Sequence, residues 1–343
     1  MPFRHALALV ALAALMVFWT QAGYFGMEIL AEIAVFAILA MSLDLAAGYA
    51  GLVSLGHAAL FGFGAYMFAL FTVLWGWPAS LAVVLASLAT GAIALIIGAV
   101  VTRVQGVFFI VITLAAGEMG YEFFYKNRAL GGDDGLGGIE RLDLASFGVD
   151  LNDPGVFALF LIVVATITYL LLVRLLASPY GAVLTGLHDN PGRMRALGLP
   201  VRAYQTSIFG FSGALAGFAG TLSAQHTQFI TPSLLHWTTS GEVLVMVILG
   251  GLGTLVGPVI GAVVLTLLRH ELSNVTDYWG FWLGFFLILI VLGGKNGIVG
   301  WLTAGWDALR GARATDDTDA GDTDAGDRAA DDLAKSEASD AAR

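Results

Sequence analysis

The chain contains no cysteine and few charged residues. The absence of cysteine from 343 residues excludes disulfides, thiolate catalysis and cysteine-ligated metal sites. Charged residues make up 12% of the chain, against about 25% in soluble proteins, so a soluble domain of this composition could not cover its own surface. The 16 Lys and Arg residues are scattered and the net charge is −10, which argues against nucleic-acid binding. No G-x-x-x-x-G-K-[ST] motif is present, so an ATP-driven activity would need its ATPase on another chain.

Long apolar runs dominate the sequence instead. Hydrophobic residues make up 58% of the chain, and the mean hydropathy is +0.82. Because a spanning helix needs about 20 apolar residues, the sequence predicts an all-α polytopic membrane protein with about eight to ten spanning helices. Clear runs lie at 6–25, 28–47, 51–75, 79–102, 106–125, 155–177, 204–224 and 279–301.

The first run has two interpretations. Arg4 followed by the apolar run from Ala6 to Trp19 has the form of a signal peptide. No small-x-small cleavage site clearly ends it, and apolar residues resume at once. We therefore interpret this run as a retained first helix.

The stretch 241–270 is interrupted by glycines and Pro258, so it is either one kinked helix or two short ones. The positive-inside rule places Arg4 and the basic loop 178–203 in the cytoplasm. It places the loop 126–154, with six acidic and three basic residues, outside. If 241–270 crosses the membrane as two short segments, the basic residues that follow it, Lys295, Arg310 and Arg313, stay in the cytoplasm. We therefore predict ten crossings with both termini cytoplasmic. Broken helices at membrane depth must face protein or a water-filled cavity.

The sequence divides into a transmembrane domain, residues 1–301, and a tail, residues 302–343. Residues 311–343 hold ten acidic and four basic residues, and the sequence DAGD occurs at 319–322 and again five residues later at 324–327. High charge with few apolar residues predicts a disordered, acidic cytoplasmic tail.

Residues 42–66 read SLDLAAGYAGLVSLGHAALFGFGAY. The recurring small residues predict two helices, joined by a turn, that pack closely on their neighbours. Asp44 and His57 are costly within a membrane, so both should face protein or water. They either cap backbone groups near the cytoplasmic interface or position the turn beside a transport pathway.

A second segment, residues 178–190, reads SPYGAVLTGLHDN. Ser178 and Pro179 are typical of a helix N-cap followed by proline at the first position. A short amphipathic helix ending near Asn190 would lie on the cytoplasmic face, where it can fit a groove on a partner protein. The alternative is an ordinary loop between two spanning helices.

Two pairs of carboxylates are spaced four residues apart, Glu28 with Glu32 and Glu118 with Glu122. Such pairs are compatible with acid–base chemistry or a cation site. We favour a solvated interface for them, since water is available near helix ends. Glu118 is the deepest of the four and is a candidate pathway residue.

Residues 42–66 resemble the permease subunits of branched-chain amino acid ABC importers, the LivM type, whose pattern runs close to SLDLxxGYxGxxSxGHAAxFGxGAY. Residues 131–136, 178–190 and 246–262 are also similar to segments of that family. Leu130 replaces a family threonine, while Ala182 and His188 stand where the family often has arginine. Both replacements remove positive charge from the segment that is similar to the ATPase-contacting segment of that family.

The resemblance implies a type II-like ABC importer permease in the inner (cytoplasmic) membrane of a prokaryote. It implies no enzyme activity or cofactor in this chain, because ATP is bound by partner subunits. The implied partners are a second, LivH-like permease, two ABC ATPase subunits, an extracytoplasmic solute-binding protein and membrane lipid. The implied cargo is an aliphatic amino acid such as leucine.

The implied site residues form two groups, and none of them is a metal ligand. The translocation pathway group comprises Asp44, Ser54, Gly56, His57, Glu118, Gly251 and Gly253. The ATPase-coupling group comprises Ser178, Pro179, Tyr180, Gly181, His188, Asp189, Asn190, Arg193 and Arg195.

Three alternative functions stay open. The first is a urea or short-chain amide ABC permease, which resembles this chain in the same segments. The second is a proton-coupled secondary transporter with Glu118, Asp44 or His57 as the relay. The third is an intramembrane hydrolase that uses His57 with Ser54, although no third orienting residue is evident.

Overall fold

The computed structural model describes residues 19–20, 23–104, 106–144, 148–275, 278, 280–282, 284–285, 288 and 297–302. Most of the predicted first helix, much of the run 279–301 and all of the predicted tail except Leu302 lie outside these residues. The chain divides into two compact units, residues 1–299 and 300–343. The first unit contains all of the described residues except 300–302.

The described part of that unit is almost entirely helical. The long helices are α1 (Tyr24–Asp44), α2 (His57–Ala69), α3 (Ala79–Val101), α4 (Val107–Lys126), α5 (Pro154–Leu176), α8 (Val201–Thr227), α9 (Trp237–Gly250) and α10 (Val256–Val275). Shorter elements are the π-helical turns π1 (Leu45–Tyr49) and π2 (Leu70–Leu74), the helices α6 (Pro179–Asp189) and α7 (Pro191–Ala196), three 3-10 turns (Arg128–Leu130, Gly132–Asp134 and Pro232–Leu235), and the strands β1 (Leu136–Gly137) and β2 (Phe229–Ile230). The two strands pair antiparallel and tie the loop after α4 to the end of α8.

Seven helices among the described residues are long and apolar enough to cross a membrane: Tyr24–Tyr49, His57–Leu74, Ala79–Val101, Val107–Lys126, Pro154–Leu176, Val201–Thr227 and Val256–Val275. Six of them coincide with predicted runs to within a few residues, which confirms an all-α polytopic membrane protein. The seventh belongs to the interrupted stretch 241–270, which is two helices joined by a linker at 251–255. The number of crossings stays a prediction.

The run predicted as a helix from residue 51 is helical only from His57. Residues 50–56 form an irregular linker because Gly51 has a φ of +69°, a left-handed conformation that glycine adopts without steric cost. The Ser54 hydroxyl then accepts a hydrogen bond from Gly56 N at 3.1 Å, which stabilises the non-helical backbone.

Helices α1 and α8 form the centre of the unit, and α8 packs along α2 and α3. Gly210, Gly213, Gly217 and Gly220 lie on that contact, and their spacing of three or four residues places them on one face of α8. A methyl group at Gly217 would lie 2.5 Å from Thr90 Cβ, and one at Gly220 would collide with the backbone of Phe61. These glycines allow the helices to approach closely.

Candidate functional site

The Asp44 carboxylate holds the linker between α9 and α10. Its Oδ1 accepts a hydrogen bond from Gly253 N at 2.7 Å, and its Oδ2 accepts one from Leu255 N at 3.1 Å. The Asp44 side chain is fully buried. The two predicted roles of Asp44 were to cap backbone groups near the interface or to position the turn that follows it. In the structure the carboxylate caps backbone groups of a segment more than 200 residues away.

The 251–255 linker is folded tightly around that carboxylate. Leu255 has a φ of +60°, a conformation that costs a residue with a side chain about 1–2 kcal/mol. Thr254 Oγ1 donates to Gly251 O at 2.7 Å and accepts from Gly257 N at 2.9 Å. A strained residue of this kind persists where its surroundings fix it, and Asp44 supplies one of the bonds that fix Leu255.

The π1 turn approaches the same linker directly through Gly48. A methyl group at Gly48 would lie 2.5 Å from Gly253 N and 2.7 Å from its Cα, and would also collide with the Asp44 carboxylate. Only a glycine fits between the two segments. A π-helical turn within a long helix is frequently found at functional sites.

The 50–56 linker is anchored to three other parts of the chain. Leu52 N donates to Ala46 O at 2.8 Å, and Leu55 N donates to Thr113 Oγ1 of α4 at 3.3 Å. The Ala58 N group, just after the linker, donates to Ser240 Oγ of α9 at 2.8 Å. The predicted pathway residues Ser54 and Gly56 are both buried in this region.

His57 lies in a separate hydrogen-bonded chain that joins α2, α8 and α1. Its Nε2 is 2.7 Å from Ser212 Oγ, and Ser212 Oγ donates its proton to Ser42 O at 2.5 Å. Since that hydroxyl has one proton, His57 Nε2 must carry the N–H, and its Nδ1 is an acceptor. Within the described residues Nδ1 has no hydrogen-bond partner.

This arrangement differs from the hydrolase alternative. The hydroxyl that contacts His57 belongs to Ser212, whereas Ser54 bonds to Gly56 N instead. The Ser212 proton points to a backbone carbonyl, so His57 does not act as a base toward it. The geometry therefore gives no support to the predicted pairing of His57 with Ser54.

Glu118 lies away from Asp44, at the opposite end of α9. Its Oε1 accepts from Trp237 N, the first residue of α9, at 3.4 Å. A carboxylate at the N-terminus of a helix is favoured by the helix dipole. Asp44 contacts the linker that follows the last residue of α9, so the 14-residue helix separates the two carboxylates.

The helix predicted at residues 178–190 is α6, which ends at Asp189. Pro179 is its first residue, but Ser178 does not cap it with its side chain; instead Ser178 Oγ donates to Leu175 O at 2.5 Å. Asn190 ends α6 and caps α7 by accepting from Arg193 N at 3.0 Å. The Asn190 side chain therefore stabilises the N-terminus of α7.

One face of α6 is buried and the other is exposed. Gly181, Leu184 and Leu187 are buried, and α6 packs on α5, α8 and the π1 turn. At its last turn, His188 Nδ1 lies 3.6 Å from the position that a methyl group on Gly51 would occupy. The exposed members of the predicted coupling group are Pro179, His188, Asp189, Asn190, Arg193 and Arg195.

Tyr180 links the first turn of α6 to α8. Its hydroxyl is 2.7 Å from Ser207 Oγ, and its ring lies 5.5 Å from the ring of Tyr204. Burial raises the pKa of the Tyr180 phenol. The phenol is therefore a neutral hydrogen-bond donor at physiological pH.

A cluster of titratable side chains, Glu32, Glu242, Arg269 and His270, joins α1, α9 and α10. The Arg269 guanidinium pairs with Glu32 and lies 3.4 Å from Glu242 Oε2, while His270 Nε2 is 2.9 Å from Glu32 Oε2. Glu32 is thus paired with protein groups, contrary to our expectation of a solvated carboxylate. The spacing rule flagged Glu32 but had no means of finding partners more than 200 residues away.

Three cavities or surface depressions among the described residues are lined by none of the predicted pathway residues. A cavity of about 570 Å³ lies within the loop 140–152, and another of about 720 Å³ lies beside the end of α4. An apolar groove of about 340 Å³ separates α5 from α8. Among the described residues, no group of three or more His, Asp or Glu side chains could hold a metal ion.

Comparison with known proteins gives consistent matches. The family model described as branched-chain amino acid transport system permease component matches residues 25–292. The high-affinity branched-chain amino acid transport system permease proteins LivM of Escherichia coli and Salmonella typhimurium are each 28% identical over 321 residues, which cover 86% of this chain and 75% of the relative. A probable branched-chain amino acid transport permease protein LivM of Methanocaldococcus jannaschii is 28% identical over 37% of each chain. No solved structure gives a significant match.

Proposed function

This chain belongs to the family of branched-chain amino acid transport system permease components, and we propose that it forms part of the membrane pathway of an ATP-driven importer. The proposed cargo is leucine, isoleucine or valine, delivered by an extracytoplasmic solute-binding protein. A second, LivH-like permease completes the pathway within the lipid bilayer. Two ABC ATPase subunits supply the energy, and both termini of this chain face the cytoplasm.

The observation that carries the proposal is the position of α6 against the π1 turn. The buried face of α6 packs on π1, and its last turn reaches Gly51 in the 50–56 linker. The exposed face of α6 remains available to a partner. A short helix with one buried and one exposed face can therefore pass a displacement from a partner subunit to π1.

The π1 turn offers a direct route from α6 to the 251–255 linker. Gly48 of π1 touches Gly253, and Asp44, immediately before π1, bonds to Gly253 N and Leu255 N. We propose that closure of the ATPase subunits against α6 moves π1, and that Asp44 carries this movement to α9 and α10. Gly251 and Gly253 let the linker change shape because glycine tolerates left-handed backbone conformations.

The binding protein is proposed to dock on the loop 126–154. Arg141 braces this loop, donating to Leu151 O at 2.8 Å and to Gln225 O at the end of α8 at 3.2 Å. The loop is therefore connected to the spanning helices. Since the apolar helices offer few groups for a zwitterion, most of the substrate selectivity is assigned to the binding protein.

The test is uptake by proteoliposomes that contain the complete complex. Vesicles loaded with ATP on the cytoplasmic side receive labelled leucine and the binding protein on the other side. We expect uptake that requires both ATP and binding protein and that stops when ATP is replaced by a non-hydrolysable analogue.

The alternatives give different results in the same vesicles. ATP-dependent uptake of labelled urea without leucine uptake would retain the importer and change its cargo. Uptake driven by a proton gradient in vesicles that contain this chain alone would contradict the proposal, and Glu118 would then be the first residue to substitute.

A further inference from the structure

We propose that Tyr180 is a positioning residue whose hydroxyl fixes the first turn of α6 to α8, so that force on α6 moves its other end. This inference rests on the proposed function, because it assigns a role within the coupling of ATP hydrolysis to transport. It concerns one hydrogen bond, between Tyr180 and Ser207.

The direction of that hydrogen bond follows from the neighbouring contacts. Ser207 Oγ donates its single proton to Tyr204 O at 2.9 Å. Its lone pairs therefore accept from the Tyr180 hydroxyl, 2.7 Å away. The bond ties α6 to the backbone of α8 through one hydroxyl.

Helix α8 is a suitable anchor because it is held by other bonds at the centre of the unit. Ser212, five residues after Ser207, donates to Ser42 O of α1 and contacts His57 of α2. Close glycine contacts join α8 to α3 and α2. The first turn of α6 is therefore attached to a helix that other helices restrain.

Among the described residues, no side chain of the last turn of α6 forms a hydrogen bond with another helix, and Leu187 is held there by apolar packing alone. His188 is exposed and lies beside Gly51, and it follows Tyr180 by eight positions, or about 12 Å along the helix. A helix fixed at one end moves most at the other. Force applied to the exposed face of α6 therefore moves its last turn against Gly51 and π1. Without the fixed first turn, the whole helix would shift and π1 would move less.

The test compares leucine imported per ATP hydrolysed in the complete complex, with Tyr180→Phe in this chain. We expect ATP hydrolysis to continue and the ratio to fall roughly fivefold, the factor that corresponds to one lost hydrogen bond. Ser207→Ala removes the same bond from the other side and should lower the ratio equally. The double variant should show no further loss.

Tyr204→Phe is the matched control. It removes a phenolic hydroxyl from the same ring pair, and among the described contacts that hydroxyl forms no hydrogen bond. The ratio should stay at its wild-type value. A general loss of stability would lower the amount of active complex in every variant but would leave the ratio unchanged.

The outcomes separate the two proposals. Absence of ATP-dependent import by the wild-type complex contradicts the proposed function itself. If the wild type imports leucine and Tyr180→Phe has the same ratio as Tyr204→Phe, the role of Tyr180 is wrong. If Tyr180→Phe does not assemble, the Ser207→Ala ratio decides: a wild-type value overturns the inference and a fivefold fall supports it.

Discussion

The α9–α10 hairpin is held against α1 at both ends, and the two attachments differ in chemistry. At one end the fully buried Asp44 accepts hydrogen bonds from the backbone of the 251–255 linker. At the other end Glu32 pairs with Arg269 and His270, whose side chains are 26% and 38% exposed. The two carboxylates belong to the same helix and are twelve residues, or about 18 Å, apart.

Because of this difference, we expect the Asp44 end of the hairpin to be rigid and the Glu32 end to be adjustable. Backbone hydrogen bonds to a buried carboxylate have fixed geometry and are shielded from salt, whereas partly exposed ion pairs are weakened by salt and by the entropy of long side chains. The rigid end lies beside π1, against which α6 packs. Movement of π1 is therefore passed directly to the linker, while the ionic end can rearrange.

The largest expected effect is that of Asp44→Ala. The substitution leaves the partly buried Gly253 N and the buried Leu255 N without an acceptor, which should lower the free energy of unfolding by about 2–3 kcal/mol. Transport should be lost with it. Unfolding in mixed micelles measures the first effect and leucine uptake the second.

Asp153→Ala is the control for that substitution. Asp153 also accepts from two backbone N–H groups, of Gly155 and Val156, but at an exposed helix N-terminus. Its loss should cost about 1 kcal/mol. Equal effects at Asp44 and Asp153 would mean that burial does not distinguish the two sites.

Gly48→Ala should have the next largest effect. The added methyl group would lie 2.5 Å from Gly253 N, so π1 and the linker must separate, at a cost of about 1–3 kcal/mol. Gly241→Ala in α9 is the matched control, because no atom lies within 4 Å of its added methyl group. That variant should be neutral or slightly stabilised. A Gly48→Ala protein of wild-type stability and uptake would show that the close approach is dispensable.

Sequence periodicity and length were sufficient to predict the helices of the described region. Six of the apolar runs became helices to within a few residues, because about 20 apolar residues have few other structures available in a membrane. The glycine motif at 250–253 correctly marked a break between two helices.

The contacts of the ionisable residues were not predictable in the same way. The sequence marked Asp44 and His57 as costly, but their partners, Gly253 and Ser212, lie more than 150 residues away and have no distinguishing local signal. Arg269 and Glu242 went unnoticed because no motif or spacing links them in the sequence, and water is the ordinary partner of a charge near a helix end. Only the packing of α1 against α9 and α10 brings these groups together.

Glu32→Gln tests the ionic end and should have a smaller effect. Arg269 keeps its contact with Glu242, so the loss should be about 1 kcal/mol or less for partly exposed pairs. Raising the salt concentration should reduce the difference in the free energy of unfolding between Glu32→Gln and the wild type. The loss of unfolding free energy caused by Asp44→Ala should stay constant over the same range of salt concentration. If salt changed the loss of unfolding free energy for Asp44→Ala but not for Glu32→Gln, the Asp44 end of the hairpin would be the adjustable one and the Glu32 end the rigid one.

The smallest effect is expected for Glu122→Gln on α4. Glu122 and Lys126 form an ion pair at 2.6 Å, yet their side chains are 51% and 76% exposed. Water solvates both groups when the pair is broken, so neither unfolding nor uptake should change measurably. Glu32 and Glu122 are both carboxylates near the end of an apolar helix, and the sequence alone gives them the same interpretation. If Glu122→Gln weakened the protein as much as Glu32→Gln, the ion pairs of the α9–α10 hairpin would have no special role, and the charge of these helix ends would explain both results.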